Sequence, residues 1–166
     1  MTILGTGFNR LTLGLGFLTV MIPGVVYAAE FRADVFRVID GDTLEVRHHG
    51  RSERIRVEGI DCPELKQPYG KEAKRAVMAL VIGSPVTLKT YGRSHDGALR
   101  ADVFLQNGRR LSQILLEEGL AWKVATTDSS GGDGEGEARY AKRGLWADPN
   151  PTPPWKFRAA QVRKRR

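Results

Sequence analysis

The chain has 166 residues, 41% hydrophobic and 27% charged, with 26 Lys and Arg against 19 Asp and Glu, a formal charge of +7. That length suits one compact unit, and the single cysteine, Cys62, excludes an internal disulfide. The positive balance favours a polyanionic partner without identifying one.

Met1 to Ala28 reads as a secretory signal. Arg10 is the only charge before Glu30, Leu11 to Val26 is apolar, and Val26-Tyr27-Ala28 supplies small residues where a signal peptidase cuts. The alternative is an uncleaved membrane anchor, because the apolar run is near the shortest that spans a bilayer. Gly14, Gly16, Gly24 and Pro23 favour cleavage, so the mature chain is expected to begin near Ala29, in the periplasm or the medium. Loss of Arg10 leaves 25 basic and 19 acidic residues, a charge of +6.

A strand is predicted from Phe31 to Ile39. Asp40-Gly41-Asp42-Thr43 then forms a turn into a second strand, Leu44 to His48, and the His49-Gly50 corner reverses the chain into a third, Arg54 to Val57. Three strands in such quick succession form an antiparallel meander. Gly59 and Pro63 break the regular backbone, so Asp61 and Glu64 are expected in a loop at the end of the sheet where Asp42 begins its strand. Taken alone, the first motif reads as a turn and Asp61-Cys62-Pro63-Glu64 as a helix start capped by Asp61. Together they place two acids to share a hard cation, with Arg56 on the return strand beside them, because two close carboxylates otherwise suppress each other's ionisation.

From Tyr69 to Val81 the residues Ala73, Ala76, Val77, Leu80 and Val81 repeat at helical spacing, and Gly83 supplies the stop. Val86 to Thr90 and Ala101 to Leu105 read as two more strands, and Leu111 to Glu118 as a second helix. Thr126 to Gly136 is polar and glycine-rich, a surface loop before a last helix near Glu137 to Lys142. Asp148 to Pro154 is too proline-rich for a helix or a central strand, and Lys156 to Arg166 reads as a solvated basic tail. Five short strands with a helix after the third and about three helices in all make an α+β, mainly β, closed Greek-key barrel of the oligonucleotide-binding (OB) type.

The run from Asp40 to Glu64 resembles the first signature of the thermonuclease, or staphylococcal nuclease-like, family. Its elements are all present: Asp40-Gly41-Asp42-Thr43-Leu44, nine residues from Arg47 to Ile55, Arg56-Val57, Ile60-Asp61 and Cys62-Pro63-Glu64. The resemblance extends in pattern from about Phe31 to Trp155, including Arg143-Gly144-Leu145-Trp146-Ala147-Asp148-Pro149. It implies the same barrel over residues 29–146, flanked by the signal at 1–28 and the Pro-rich basic tail at 147–166. It also implies calcium held by Asp42, Asp61 and the main-chain carbonyl of Cys62, water activated by Glu64, and phosphate bound by Arg56. Oxygen-only ligation suits calcium, and nothing at these positions suits zinc. His48 and His49, adjacent in a strand, are expected to face opposite ways as ordinary surface residues.

The second family signature departs from its pattern. Ser94-His95-Asp96-Gly97-Ala98-Leu99-Arg100 occupies its region, and ungapped alignment puts Ala98 where a second catalytic arginine belongs. Arg100, two residues on and so on the same face of a strand, is the expected substitute, and Arg93 in Tyr91-Gly92-Arg93 is the other candidate. The resemblance therefore implies an exported calcium-dependent nuclease that acts on DNA or RNA with little sequence preference. The alternatives are an OB-fold module that binds single strands with weak or no turnover, and a structural domain whose basic surface is incidental.

Overall fold

A computed structural model describes residues 29–124 and 133–164. The predicted signal segment and most of the predicted glycine-rich loop lie outside the described residues. Five strands close into a barrel: β1 (Glu30–Val38), β2 (Thr43–His48), β3 (Arg51–Val57), β5 (Pro85–Arg93) and β6 (Leu99–Phe104), in the order β1-β2-β3-β6-β5. Neighbours are antiparallel except β3 and β6, which run parallel with Arg56 opposite Arg100. The OB-type barrel expected from the sequence is therefore present.

Side chains alternate along each strand, so Leu44 and Val46, Ile55 and Val57, Val86 and Leu88, and Ala101 and Val103 all point inward and are buried. Helix α1 (Gly70–Val81) contributes Ala73, Val77 and Val81 to the same core, at the spacing of one helical face. Helix α2 (Leu111–Glu117) adds Leu111, Leu115 and Leu116. A smaller cluster of Trp122, Ala138, Leu145 and Trp146 lies beside it, joined by Tyr69.

Four details differ from the sequence expectation. Asp61 is neither in a loop nor a helix cap: Ile60–Asp61 is a short strand, β4, paired with β7 (Trp122–Lys123). Pairing to a segment some sixty residues away leaves no local trace. Helix α3 (Gly134–Tyr140) starts before Glu137, because the Asp133 carboxylate accepts from the Gly136 N–H at 3.1 Å and caps it. His49 lies in the hairpin turn, as the His49-Gly50 corner predicts, with φ 47°, but its ring sits 4.1 Å from that of His48 instead of facing the opposite way.

The fourth difference bears on function. Residues read as a basic tail form helix α4 (Pro154–Lys164), the fourth α-helix among the described residues. Pro154 stands at its first position, where a missing N–H and a fixed φ favour a helix start. The Gln67 side chain donates to the Thr152 carbonyl at 2.9 Å, and the Trp155 ring packs 5.7 Å from that of Trp122. Those contacts bring α4 back to the barrel.

Candidate active site

Asp42 enters the site as the last residue before β2. The Asp40 carboxylate accepts from the Asp42 N–H at 3.1 Å, and the Val57 N–H donates to the Asp42 carbonyl at 2.8 Å, which ties the turn to the end of β3. Behind it the chain passes very close to Cys62: a methyl group at Gly41 would lie 2.7 Å from the Cys62 Cβ and 2.8 Å from the Ala73 Cβ. Only glycine lets the Asp42 turn and the β4 segment approach this far.

That approach joins the acids. The Cys62 N–H donates to Asp42 Oδ2 at 2.7 Å, and the Thr43 hydroxyl donates to Oδ1 at 3.1 Å. Arg56 Nη2 donates to Asp61 Oδ1 at 3.1 Å and lies 3.6 Å from Asp42 Oδ2, so one guanidinium spans both carboxylates. Asp42 is 3% exposed and Asp61 6%. Burial pushes the Asp42 carboxyl up to about 7; Arg56 opposes that rise, Asp40 adds to it, the Cys62 N–H opposes it and Asp61 adds to it. Arg56 therefore does not fully compensate the negative charge buried here.

Glu64 stands on the rim, its side chain 36% exposed. Its N–H donates to the Gln67 side chain at 2.9 Å, while its carbonyl accepts from the Gln67 N–H at 2.7 Å. Tyr69, at φ 64°, then turns the chain so that Gly70 presses on the same carbonyl. A methyl group there would collide with the Glu64 carbonyl oxygen and come within 2.7 Å of its carbon. Gly70→Ala is thus expected to displace Glu64, lowering stability by about 3 kcal/mol and reducing activity; thermal unfolding together with a cleavage assay checks both.

The remaining predicted residues fall in different places. Cys62 is buried against Gly41, and burial, with Asp42 adding to it, pushes its thiol well up, so the sulfur is an inert packing group. Arg100 stands beside Arg56 across the parallel ladder, with its Nε donating to Glu58 at 3.0 Å. Arg93 is drawn away from the acids, forked onto the Glu53 carboxylate at 2.7 and 3.0 Å and donating to the Gly97 carbonyl at 2.8 Å. Ala98 is buried.

One residue escaped the sequence reading. Arg158 of α4 donates from Nη1 to Asp61 Oδ1 at 3.1 Å and to Glu64 Oε1 at 2.8 Å, and from Nη2 to Asp61 Oδ2 at 2.8 Å. These bonds, Asp61's first, raise its pKa further above the ordinary arginine value. The only available signal was Pro153-Pro154 ahead of Trp155, which marks a helix start as well as it marks a break.

Among the described residues no three His, Cys, Asp or Glu side chains form a cation cage of their own. The two buried carboxylates of Asp42 and Asp61, spanned by one guanidinium, nevertheless make an oxygen donor pair of the kind that calcium or magnesium takes, completed by water. Burial holds the Asp42 carboxyl above its ordinary range, and a cation on its oxygens would favour the ionised form. The residues present therefore fit a hard divalent cation.

The family model described as staphylococcal nuclease homologue matches residues 54–148. The chain is 38% identical over 135 residues to an uncharacterized endonuclease of Escherichia coli O157:H7, covering 80% of this chain and 88% of the relative. A micrococcal nuclease of Shigella flexneri is 34% identical over 154 residues, 85% of this chain and 88% of that one. Staphylococcal-like nuclease CAN1 of Arabidopsis thaliana is 36% identical over 128 residues, 76% of this chain and 39% of the plant protein.

Proposed function

The chain belongs to the staphylococcal nuclease family and is a nuclease that hydrolyses phosphodiester bonds of nucleic acid; from that premise we propose an exported, calcium-dependent enzyme with little sequence preference. The observation that carries this reading is the meeting of buried Asp42 and Asp61 under one guanidinium, with Glu64 on the rim.

Asp42, Asp61 and the Cys62 carbonyl would hold the cation. A divalent ion at such a site draws charge from the phosphoryl oxygens as it builds up. Glu64 takes a proton from the attacking water, whose oxygen bonds to phosphorus while the bond to the leaving oxygen breaks. Arg56 donates to the non-bridging oxygens, and Arg100, its cross-strand neighbour, joins it on leaving Glu58. Carboxylates and guanidiniums address phosphate and water instead of base edges, which supports low sequence preference.

The test is incubation of the mature protein with single-stranded DNA and calcium, then with chelator, following fragment length. Calcium-dependent shortening supports the proposal, whereas retardation without cleavage would leave a binding module. Arg100→Ala is expected to lower kcat/KM about 10- to 100-fold, and Arg93→Ala less than about twofold, since its partner is Glu53. If neither changes the rate, Arg100 has no part in the reaction. Export rests on the charge and apolar pattern of residues 1–28. N-terminal sequencing of protein recovered from periplasm and medium tests it.

A further inference from the structure

The nuclease reading gives α4 no task, yet α4 delivers a guanidinium to the centre of the site. Arg158 reaches across 97 positions in the sequence to donate to both oxygens of Asp61, and its third bond goes to Glu64 at 2.8 Å. Its side chain is 44% exposed, so the guanidinium meets solvent as well as the acids. The helix itself is anchored elsewhere, through Trp155 on Trp122 and Gln67 on Thr152. A tether for α4 would need neither a bidentate grip on a buried acid nor a bond to the rim carboxylate.

Charge balance says what the group is for. With all three ionised, Asp42, Asp61 and Glu64 carry three negative charges against one positive charge on Arg56. A divalent cation with Arg56 balances those three, leaving only Arg100, once drawn from Glu58, for the phosphodiester and the second negative charge its transition state acquires. Without the cation, Arg158 is the neutralising group. With it, a guanidinium on the same Asp61 oxygens would face a like charge at close range, while a phosphate oxygen within reach of Glu64 would offer a new anionic partner.

We propose that Arg158 is an exchangeable catalytic guanidinium: it covers the Asp61 oxygens in the cation-free site and, on releasing them to the cation, turns to the phosphate being cleaved. The C-terminal helix is then part of the catalytic machinery, and its arginine competes with the cation for the Asp61 oxygens. This rests on the calcium-dependent reading of the same site.

The test compares wild type with Arg158→Ala and Arg158→Lys in the full mature chain. Calcium affinity is measured by calorimetry and by terbium luminescence without substrate, kcat and KM on single-stranded DNA, and Tm by thermal unfolding. Removing a competitor that occupies the site about nine-tenths of the time should tighten calcium binding about tenfold. Removing a guanidinium from the transition state should lower kcat on the order of 10²- to 10³-fold, with partial recovery in Arg158→Lys, which keeps the charge but loses the fork. Tighter cation binding together with slower turnover is the signature of exchange. A lower Tm with unchanged cation affinity and unchanged kcat would reduce Arg158 to a tether, and slower turnover without tighter binding would also overturn the exchange. A wild type that cuts DNA in chelator and binds no calcium would remove the calcium reading and the exchange together, an outcome visible before any variant is made.

Discussion

Replacing Glu64 with glutamine is expected to lower kcat about 10²- to 10⁴-fold while leaving KM for single-stranded DNA and Tm close to wild type. Glutamine keeps the length of the side chain and an oxygen that still accepts from Arg158, but it cannot take a proton from water. Folding is spared because the main chain at this position is fixed independently of the carboxylate, by Gln67 on its N–H and carbonyl and by Gly70 pressed against it. A partly exposed side chain also contributes little to the core. Rates with saturating calcium and DNA, beside a binding titration, separate the two effects. A loss of less than about tenfold would mean that water is activated by some other group and that Glu64 only anchors Arg158.

Asp42→Asn is expected to abolish calcium binding and cleavage, yet to make the cation-free protein more stable at pH 8. The sign follows from the direction of the shift. The folded-state pKa of Asp42 is raised from 3.8 to about 7, chiefly by burial, so the folded state holds the proton more tightly than the unfolded chain. The stability linked to that proton is complete below 3.8, is lost as pH rises towards 7, and stays lost above it. Asparagine carries no charge at any of these pH values. It can still accept from the Cys62 N–H and donate to the Thr43 hydroxyl, so the buried hydrogen bonds survive. Arg56 keeps Asp61 as its nearer partner.

The variant should therefore flatten the fall in Tm that wild type shows between pH 5 and 8 in chelator. Calcium reverses the ranking, because ligand bound only to the folded wild type raises its stability by mass action. The same proton competes with the cation, so wild-type calcium affinity should drop by up to about tenfold per pH unit below about 7. An Asn variant that is less stable than wild type in chelator at pH 8, or that binds calcium equally well, would show that Asp42 is neither charge-strained nor a ligand.

How far the site was legible in the chain depends on distance along it. Asp42, Arg56, Asp61 and Glu64 lie within one hairpin and the few residues after it, so the turn at His49-Gly50 and the two-residue period of the strands bring them to one end of the sheet. Ala73, Val77 and Val81 marked the buried face of α1 by spacing alone. The glycines at 41 and 70 were visible as residues, but the carbonyl and side chains pressed against them belong to tertiary packing.

The amino-acid sequence by itself determined the barrel strands, the first helix and the acid-arginine constellation, because each is encoded by local periodicity and turn chemistry. Tertiary structure alone decided the parallel closure that sets Arg100 beside Arg56, the β4-β7 pair that holds Asp61, and the return of α4 that brings Arg158 to the site. Those contacts join segments from about forty to nearly a hundred residues apart. Their partners are chosen by which surfaces remain to be covered once the barrel has closed, and no local pattern of residues carries that information.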